Sequence, residues 1–321
     1  ESAARARTRA ESRRARGAFA TPRPIALRVV AEAYRGLALD AADLPRLLDP
    51  ACGTGAVLLA AFCRLSRRFP RVPAARLLAS LHGIDCDRDA VETARRVLTR
   101  AAAVHEEARG AGAKSAHVPR AESVRIGPGD ADEAAPREKA PWLHRGDALL
   151  GTPRPEYDLV VGNPPWVSLA GKHRAHGVSR AARQPCIDRL GADTYRPNLF
   201  ELFVRATLLR LRPGGRQVFL VPDRLARNRQ FERLRRELVA AHRIRLLEFG
   251  LRFDGVDADT LLYRIDAERP KARAVVRVRD TRRPGDAEGR VPQRAFATRP
   301  GCPFWFVRGR GLAPLIDRLL R

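Results

Sequence analysis

The stretch Asp158-Leu-Val-Val-Gly-Asn-Pro-Pro-Trp166 constrains this chain more than any other. Tyr157 to Val161 reads as a buried strand, and Asn163-Pro164-Pro165-Trp166 stops it. Two adjacent prolines have no N–H to give a ladder or a helix, and each fixes its own φ. Asn163 and Pro164 both precede a proline and are pushed to extended geometry. The pattern predicts a stiff turn at the carboxyl end of a strand, where open α/β sheets bind ligands. That turn offers an amide side chain, backbone carbonyls without sheet or helix partners, and an indole. Such a set suits an exocyclic amino group held in place and a planar base stacked beside it. The plain alternative is a Pro-rich loop after a core strand.

The chain has 321 residues, enough for one large domain or two small ones, and 45% of them are hydrophobic. No apolar run reaches the ~18 residues of a membrane span. The Arg-rich start lacks the apolar core of a secretion signal, so none is expected. Cys52, Cys63, Cys86, Cys186 and Cys302 form no C-x-x-C pair and no zinc-like spacing with histidine. This predicts reduced thiols in a cytoplasm and no metal site. The chain lacks methionine and begins at Glu1, which suggests an excerpt of a longer protein.

The net charge is +25, from 61 basic and 36 acidic residues. A polyanionic partner follows naturally. GC-rich coding explains why Arg outnumbers Lys, but not why bases outnumber acids.

Along the chain, residues 1–16 read as a basic helical segment with a solvated face. Gly17-Ala-Phe-Ala-Thr-Pro22 follows, with Thr21 as N-cap and Pro22 as first helical residue of an apolar-periodic run from Ile25 to Leu37. Arg46 to Gly55 carries a short strand ending at Asp49 and a Gly-rich turn, Pro50-Ala-Cys-Gly-Thr-Gly55, before a helix from Ala56 to Leu65. Gly53 and Gly55 let backbone approach a ligand closely, and the new helix offers free N–H groups. The spacing is not Gly-x-Gly-x-x-Gly and no Gly-Lys-Ser/Thr follows, which disfavours dinucleotide and nucleoside triphosphate sites.

A second strand, Leu77 to Ile84, leads to Asp85, placed where the second strand of a βαβ unit commonly offers a carboxylate to ribose. Asp87 is the expected cap of a helix from Arg88 to Ala103. Residues 104–140 lack periodicity and read as a surface insertion, with His105 solvated. A third short strand ends at Asp147, either a turn residue or a carboxylate facing an adenine amino group. Asn198 to Leu211 reads as a helix ended by Pro213-Gly-Gly215. Strands are expected at Arg216–Val221, Ile244–Gly250 and Thr260–Ile265, with helix over Gln230–His242 and an aromatic, Phe253, in the loop from Arg252 to Asp257. Past Asp266 the pattern weakens to a short strand, Ala274–Val278, and a closing helix, Leu312–Arg321.

Alternating strands and helices predict an α/β, doubly wound, mostly parallel sheet of about seven strands with helices on both faces. The order of motifs, Gly-Ala-Phe-Ala-Thr-Pro, Asp-Pro-Ala-Cys-Gly-Thr-Gly, Gly-Ile-Asp-Cys-Asp, Gly-Asp-Ala and Asn-Pro-Pro-Trp, resembles the gamma-class N6-adenine DNA methyltransferases. The closest resemblance is to the methylase region of type IIG-like restriction–modification enzymes, over residues 17 to about 266. Asn-Leu-Phe-Glu-Leu-Phe from Asn198 and Val-Pro-Asp from Val221 fit the same pattern.

The resemblance implies a Rossmann-like methyltransferase fold with S-adenosylmethionine as cofactor and double-stranded DNA as substrate. It divides the chain into the segment 1–16, a catalytic domain at 17–266, and an extension at 267–321 leading toward a target-recognition domain. That recognition domain and any upstream nuclease lie outside this sequence. Phe19, Thr21 and Pro22 would close over the methionine end of the cofactor. Asp49, Ala51, Gly53 and Gly55 would line its amino-acid part. Asp85 would take the ribose, Cys86 would pack on the adenine, and Asp147 with Ala148 would meet the adenine edge. Asn163 and the Pro164 carbonyl, on the turn with Pro165, would accept from the target amino group. Trp166 and, by a looser match, Phe253 would stack on the flipped base.

Alternatives stay open at this point. A protein-glutamine N5 methyltransferase shares the Asn-Pro-Pro turn, an RNA adenine methyltransferase suits the charge, and N4-cytosine methylation poses the same acceptor problem. A non-catalytic DNA-binding module would not need the Asn163–Trp166 turn intact.

Overall fold

The computed structural model describes residues 21–111, 142–150, 154, 156–169, 180–192, 197–252, 258–282 and 288–304. Helix α1 is Arg23–Ala33, β1 is Leu47–Asp49, α2 is Ala56–Arg68, α3 is Ala74–Ala79 and β2 is Leu81–Asp85. Next come α4 (Arg88–Gly110), β3 (Leu143–Arg145), β4 (Tyr157–Gly162), α5 (Arg180–Leu190), α6 (Leu199–Leu208) and β5 (Leu211–Pro222). The remainder is α7 (Arg224–Arg227), α8 (Glu232–Ala241), β6 (Arg243–Phe249), β7 (Thr260–Asp266), β8 (Val275–Asp280), β9 (Gly289–Pro292) and α9 (Arg294–Ala297).

Among the described residues nine strands form one sheet, in the order β3-β2-β1-β4-β5-β7-β6-β8-β9. The sheet runs parallel from β3 through β5, and β7 lies antiparallel between β5 and β6. This is the expected α/β class with two more strands than the seven expected. The additions are β8, which is the short strand expected at Ala274–Val278 and lies parallel to β6, and β9, antiparallel to β8, which the sequence did not signal. They continue the same sheet past Asp266.

Leu47, Leu48, Leu159, Val160 and Val161 are fully buried, as in a parallel sheet covered on both faces. Neighbouring residues of β5 prove that cover. Arg216 donates to Ala33 O of α1 at 3.0 Å, whereas Gln217 donates to Val204 O and Thr207 Oγ1 of α6 at 3.1 and 2.8 Å. Successive side chains of a strand point to opposite faces, so α1 and α6 flank the sheet on opposite sides.

Several boundaries differ from those read in the sequence. Leu77 to Ala79 belong to α3, and β2 starts at Leu81. Pro22, not Thr21, is the N-cap of α1, and Pro24 takes the early helical position. Pro213-Gly-Gly215 lies inside β5 as an irregularity. Tyr157 pairs with Leu211 but Leu159 pairs with Arg216, so two steps of β4 face five of β5. Helix α4 runs on to Gly110, into the segment read as an insertion. His105 is correspondingly buried rather than solvated, with Nε2 2.8 Å from Val72 O and its ring edge-on to Phe62. Residues 112–141 and the closing helix read at Leu312–Arg321 lie outside the described residues.

A buried ionic cluster joins α1 to the distal strands. Glu32, fully buried, pairs with Arg35 at 2.8 Å, Arg264 at 3.7 Å and Arg277. Glu248 on β6 pairs with Arg28 at 2.7 Å and Arg279 at 3.2 Å. Buried carboxylates persist when they are paired in this way.

Candidate active site

The strand order fixes where the site lies. From β1 the chain adds β2 and β3 on one side, then returns to place β4 on the other. The carboxyl ends of β1 and β4 therefore meet at the topological switch point, where such sheets open a crevice. Asp49 ends β1, and Asn163 follows directly on Gly162, which ends β4.

Gly162 makes this meeting possible. Its φ is +151°, and a Cβ there would stand 2.8 Å from Asp49 Oδ1. Only glycine admits both the conformation and the approach. Asp49 is 2% exposed, and its Oδ1 accepts from Ala51 N–H at 3.2 Å. Burial pushes its carboxyl up to about 7; the Ala51 bond opposes the rise and the charge of Asp85 adds to it. Burial, with help from Asp49 and Asp85, also drives the Cys52 thiol up, so it stays neutral.

The Gly-rich turn is built for close backbone approach. Gly53 has φ +53° and nothing within 4 Å of where a Cβ would stand, so its open side is free for a ligand. Gly55 caps α2 at φ +84°, and a Cβ there would lie 2.9 Å from Ala94 Cβ of α4. Asp85 ties this turn to the next one. Its Oδ2 accepts from Gly53 N–H at 2.8 Å and its Oδ1 from Asp87 N–H at 2.9 Å. Asp87 caps α4 as expected, through Asp89 and Ala90 N–H, and Cys86 beside it is exposed.

Asn163, Pro164, Pro165 and Trp166 adopt neither helix nor strand. The segment is anchored further on by the bridge of Ser168 to Asn198 and by Leu199 N–H donating to Val167 O at 2.9 Å. Asn163 Nδ2 donates to Thr21 Oγ1 at 3.4 Å. Its Oδ1 is buried and has no hydrogen-bond partner. A buried acceptor left unsatisfied costs about 1–3 kcal/mol, so this oxygen marks a place where a donor belongs. Trp166 is 9% exposed and packs into the core.

Asp147 lies two residues beyond β3. It pairs with Arg183 of α5, and its Oδ1 accepts from Leu149 N–H at 3.0 Å. Ala148 is buried, and its carbonyl accepts from Arg210 at 3.0 Å. Phe19 and Phe253 lie outside the described residues. Sequence reasoning missed Gly162, though a glycine closing an apolar strand just before Asn-Pro-Pro was a signal. It also missed Arg183, which nothing local marks. Among the described residues no three His, Cys, Asp or Glu are grouped to hold a metal, and no helix is long and apolar enough to cross a membrane.

The family model described as "Eco57I restriction-modification methylase" matches residues 79–251, more than half of the chain. The chain belongs to the Eco57I restriction-modification methylase family. The type II methyltransferase M.XhoI of Xanthomonas vasicola is 30% identical over 240 residues, 71% of this chain and 38% of its own. M.TthHB8I of Thermus thermophilus is 30% identical over 150 residues, 46% of this chain and 34% of its own. The chain thus spans well under half the length of the relatives it matches.

Solved structures agree on the fold. The ATP-dependent type ISP restriction-modification enzyme LlaBIII bound to DNA superposes with a TM-score of 0.56 at 11% identity, over 82% of this chain and 19% of that one. The DrdV–DNA complex does so with a TM-score of 0.55 at 17% identity, over 84% of this chain and 28% of that one.

The cofactor of this methylase family is S-adenosylmethionine. The residues present fit it. The open, left-handed Gly53, the buried Asp49 beside it and the carboxylate of Asp85 at the end of β2 form a cradle for a molecule with a cationic amino-acid end and a ribose.

Proposed function

We propose that this chain is the catalytic core of a site-specific DNA methyltransferase that methylates the N6 amino group of an adenine flipped out of double-stranded DNA. The observation that carries this is the buried, unpartnered Oδ1 of Asn163, held on a proline-stiffened turn whose preceding glycine leaves no room for a Cβ beside Asp49. The cofactor, when bound, supplies an electrophilic methyl group on a sulfonium.

The protein's own part is positioning and electrostatics. Asn163 Oδ1 accepts one hydrogen of the target amine, and the Pro164 carbonyl accepts the other. Two acceptors draw the nitrogen lone pair out of conjugation with the ring. Thr21 steadies the Asn163 amide. Asp49, Ala51, Gly53 and Gly55 hold the amino-acid end of the cofactor, with Phe19 and Pro22 closing over it. Asp85 takes the ribose, Cys86 and Ala148 flank the cofactor adenine, and Asp147 turns from Arg183 toward its amino group. Stacking on the flipped base falls to Trp166, whose indole must open one face from its packing, and to Phe253.

A base inside a duplex presents neither its amine nor its face to such a site, so flipping is required. The net charge of +25 suits the phosphate backbone. Residues 17–266 carry the chemistry, and the strands β8 and β9 beyond them extend the sheet that holds it. Expression in a host lacking adenine methylation tests this. Mass spectrometry of host nucleosides is expected to show N6-methyladenine. Unmodified adenine with N4-methylcytosine would move the target, and no modified base would reject DNA as substrate.

A further inference from the structure

Arg224 opens α7, immediately after the Val221-Pro222-Asp223 segment that ends β5. Its guanidinium lies over the Phe200 ring, 5.5 Å from the centroid, and its Nη2 reaches the Trp166 carbonyl at 3.5 Å. Arg224 therefore stands beside the turn that carries Asn163. Its Nε is buried and has no hydrogen-bond partner.

Nearby carboxylates are committed elsewhere. Asp223 pairs with Arg227, and Asp259 pairs with Arg282 at 3.0 Å. Among the described residues no carboxylate pairs with Arg224, and burial alone pulls its guanidinium below the usual range. The more deeply buried Arg205 and Arg264 have carboxylates, and Arg235 spends its guanidinium on the carbonyls of Leu225, Asn228, Gly301 and Cys302. Arg64, over the Tyr34 ring, and Arg210, bonded to the Ala148 carbonyl, share the buried, unpartnered Nε, and Arg224 differs from them in lying against the turn that carries Asn163. A cation held half-buried without an anion is costly unless an anion arrives.

We infer that Arg224 is a positioning residue that takes a backbone phosphate of the flipped nucleotide, holding that nucleotide while its base sits against the Asn163–Trp166 turn. Arginine suits this role, because its planar fork can bind two phosphate oxygens while its face lies on an aromatic ring. The contact with the Trp166 carbonyl is weak at 3.5 Å and is readily exchanged for a charged acceptor. This assignment rests on the DNA-methylating function proposed above.

The test measures kcat/KM for methyl transfer to unmethylated plasmid DNA over a salt series, with the full-length protein and Arg224→Gln. Loss of one phosphate contact removes about 0.9 from the slope of log affinity against log salt. The variant is expected to lose about tenfold or more in kcat/KM for DNA, with a slope shallower by about one. Its cofactor affinity by calorimetry stays within about twofold of wild type, which also reports folding. Arginine-selective chemical footprinting of the wild-type protein needs no variant. Plasmid DNA with a cofactor analogue is expected to protect Arg224, and the analogue alone is not.

Equal slopes in wild type and variant, or no protection by DNA, would overturn the Arg224 assignment and leave methylation standing. A wild-type protein that transfers no methyl group to DNA would overturn both.

Discussion

Asn163 Nδ2 donates to Thr21 Oγ1 across 3.4 Å, joining two residues 142 positions apart. The bond turns the amide so that Oδ1, the acceptor needed by an amine, stays free. Thr21→Val keeps the volume and removes the tether. The expected result is a kcat about tenfold lower with unchanged cofactor affinity, since small misplacements of a reacting group cost up to roughly a hundredfold. An unchanged kcat would reduce Thr21 to a bystander.

Asp85 holds both Gly53 N–H and Asp87 N–H. Asp85→Ala removes the proposed ribose acceptor and also loosens the Gly-rich turn. Cofactor affinity by calorimetry should fall by roughly 10- to 100-fold, the equivalent of about 1–3 kcal/mol. Unchanged affinity would reject its part in the cradle.

The raised carboxyl of Asp49 makes stability depend on pH in a definite direction. Its folded value is about 7 against an ordinary 3.8, so between these pH values the folded state keeps a proton that the unfolded chain has released. Stability contributed by this group therefore falls as pH rises from about 4 to about 7, by something on the order of 4 kcal/mol, and levels off above. Asp49→Asn should flatten that part of the stability curve in chemical denaturation without cofactor. An identical pH profile in the two proteins would contradict the burial of a titrating group there.

The ionic cluster under α1 predicts a structural effect at a distance from the chemistry. Glu32→Ala leaves Arg35, Arg264 and Arg277 without their shared carboxylate. Breaking a buried pair in this way costs about 3–5 kcal/mol, so denaturant midpoints should fall markedly. A loss below about 1 kcal/mol would show that the cluster is screened like surface pairs.

The elements that position the site were legible because each has a local cause. Pro164 and Pro165 end β4, the glycines at 53 and 55 shape the turn after β1, and Asp87 caps α4. What the sequence hid depends on partners distant along the chain. Asp147 gives no sign of Arg183, Thr21 gives none of Asn163, and the edge strand β9 has four residues and depends on β8 for its pairing. Local propensity also misplaced Leu77 to Ala79, an apolar run that suits a helix turn as well as a strand. His105 was misjudged because α4 continues seven residues past Ala103, and only the packed helix shows the Phe62 and Val72 contacts.

The most direct test is radiolabelled methyl transfer from S-adenosylmethionine to unmethylated plasmid DNA, with nucleoside analysis, run in parallel on the full-length protein and Asn163→Ala. The account predicts label in N6-methyladenine with the wild type. It predicts no transfer by the variant, whose cofactor affinity stays within a few-fold. Turnover retained by Asn163→Ala, or label in RNA or protein with none in DNA, would contradict it.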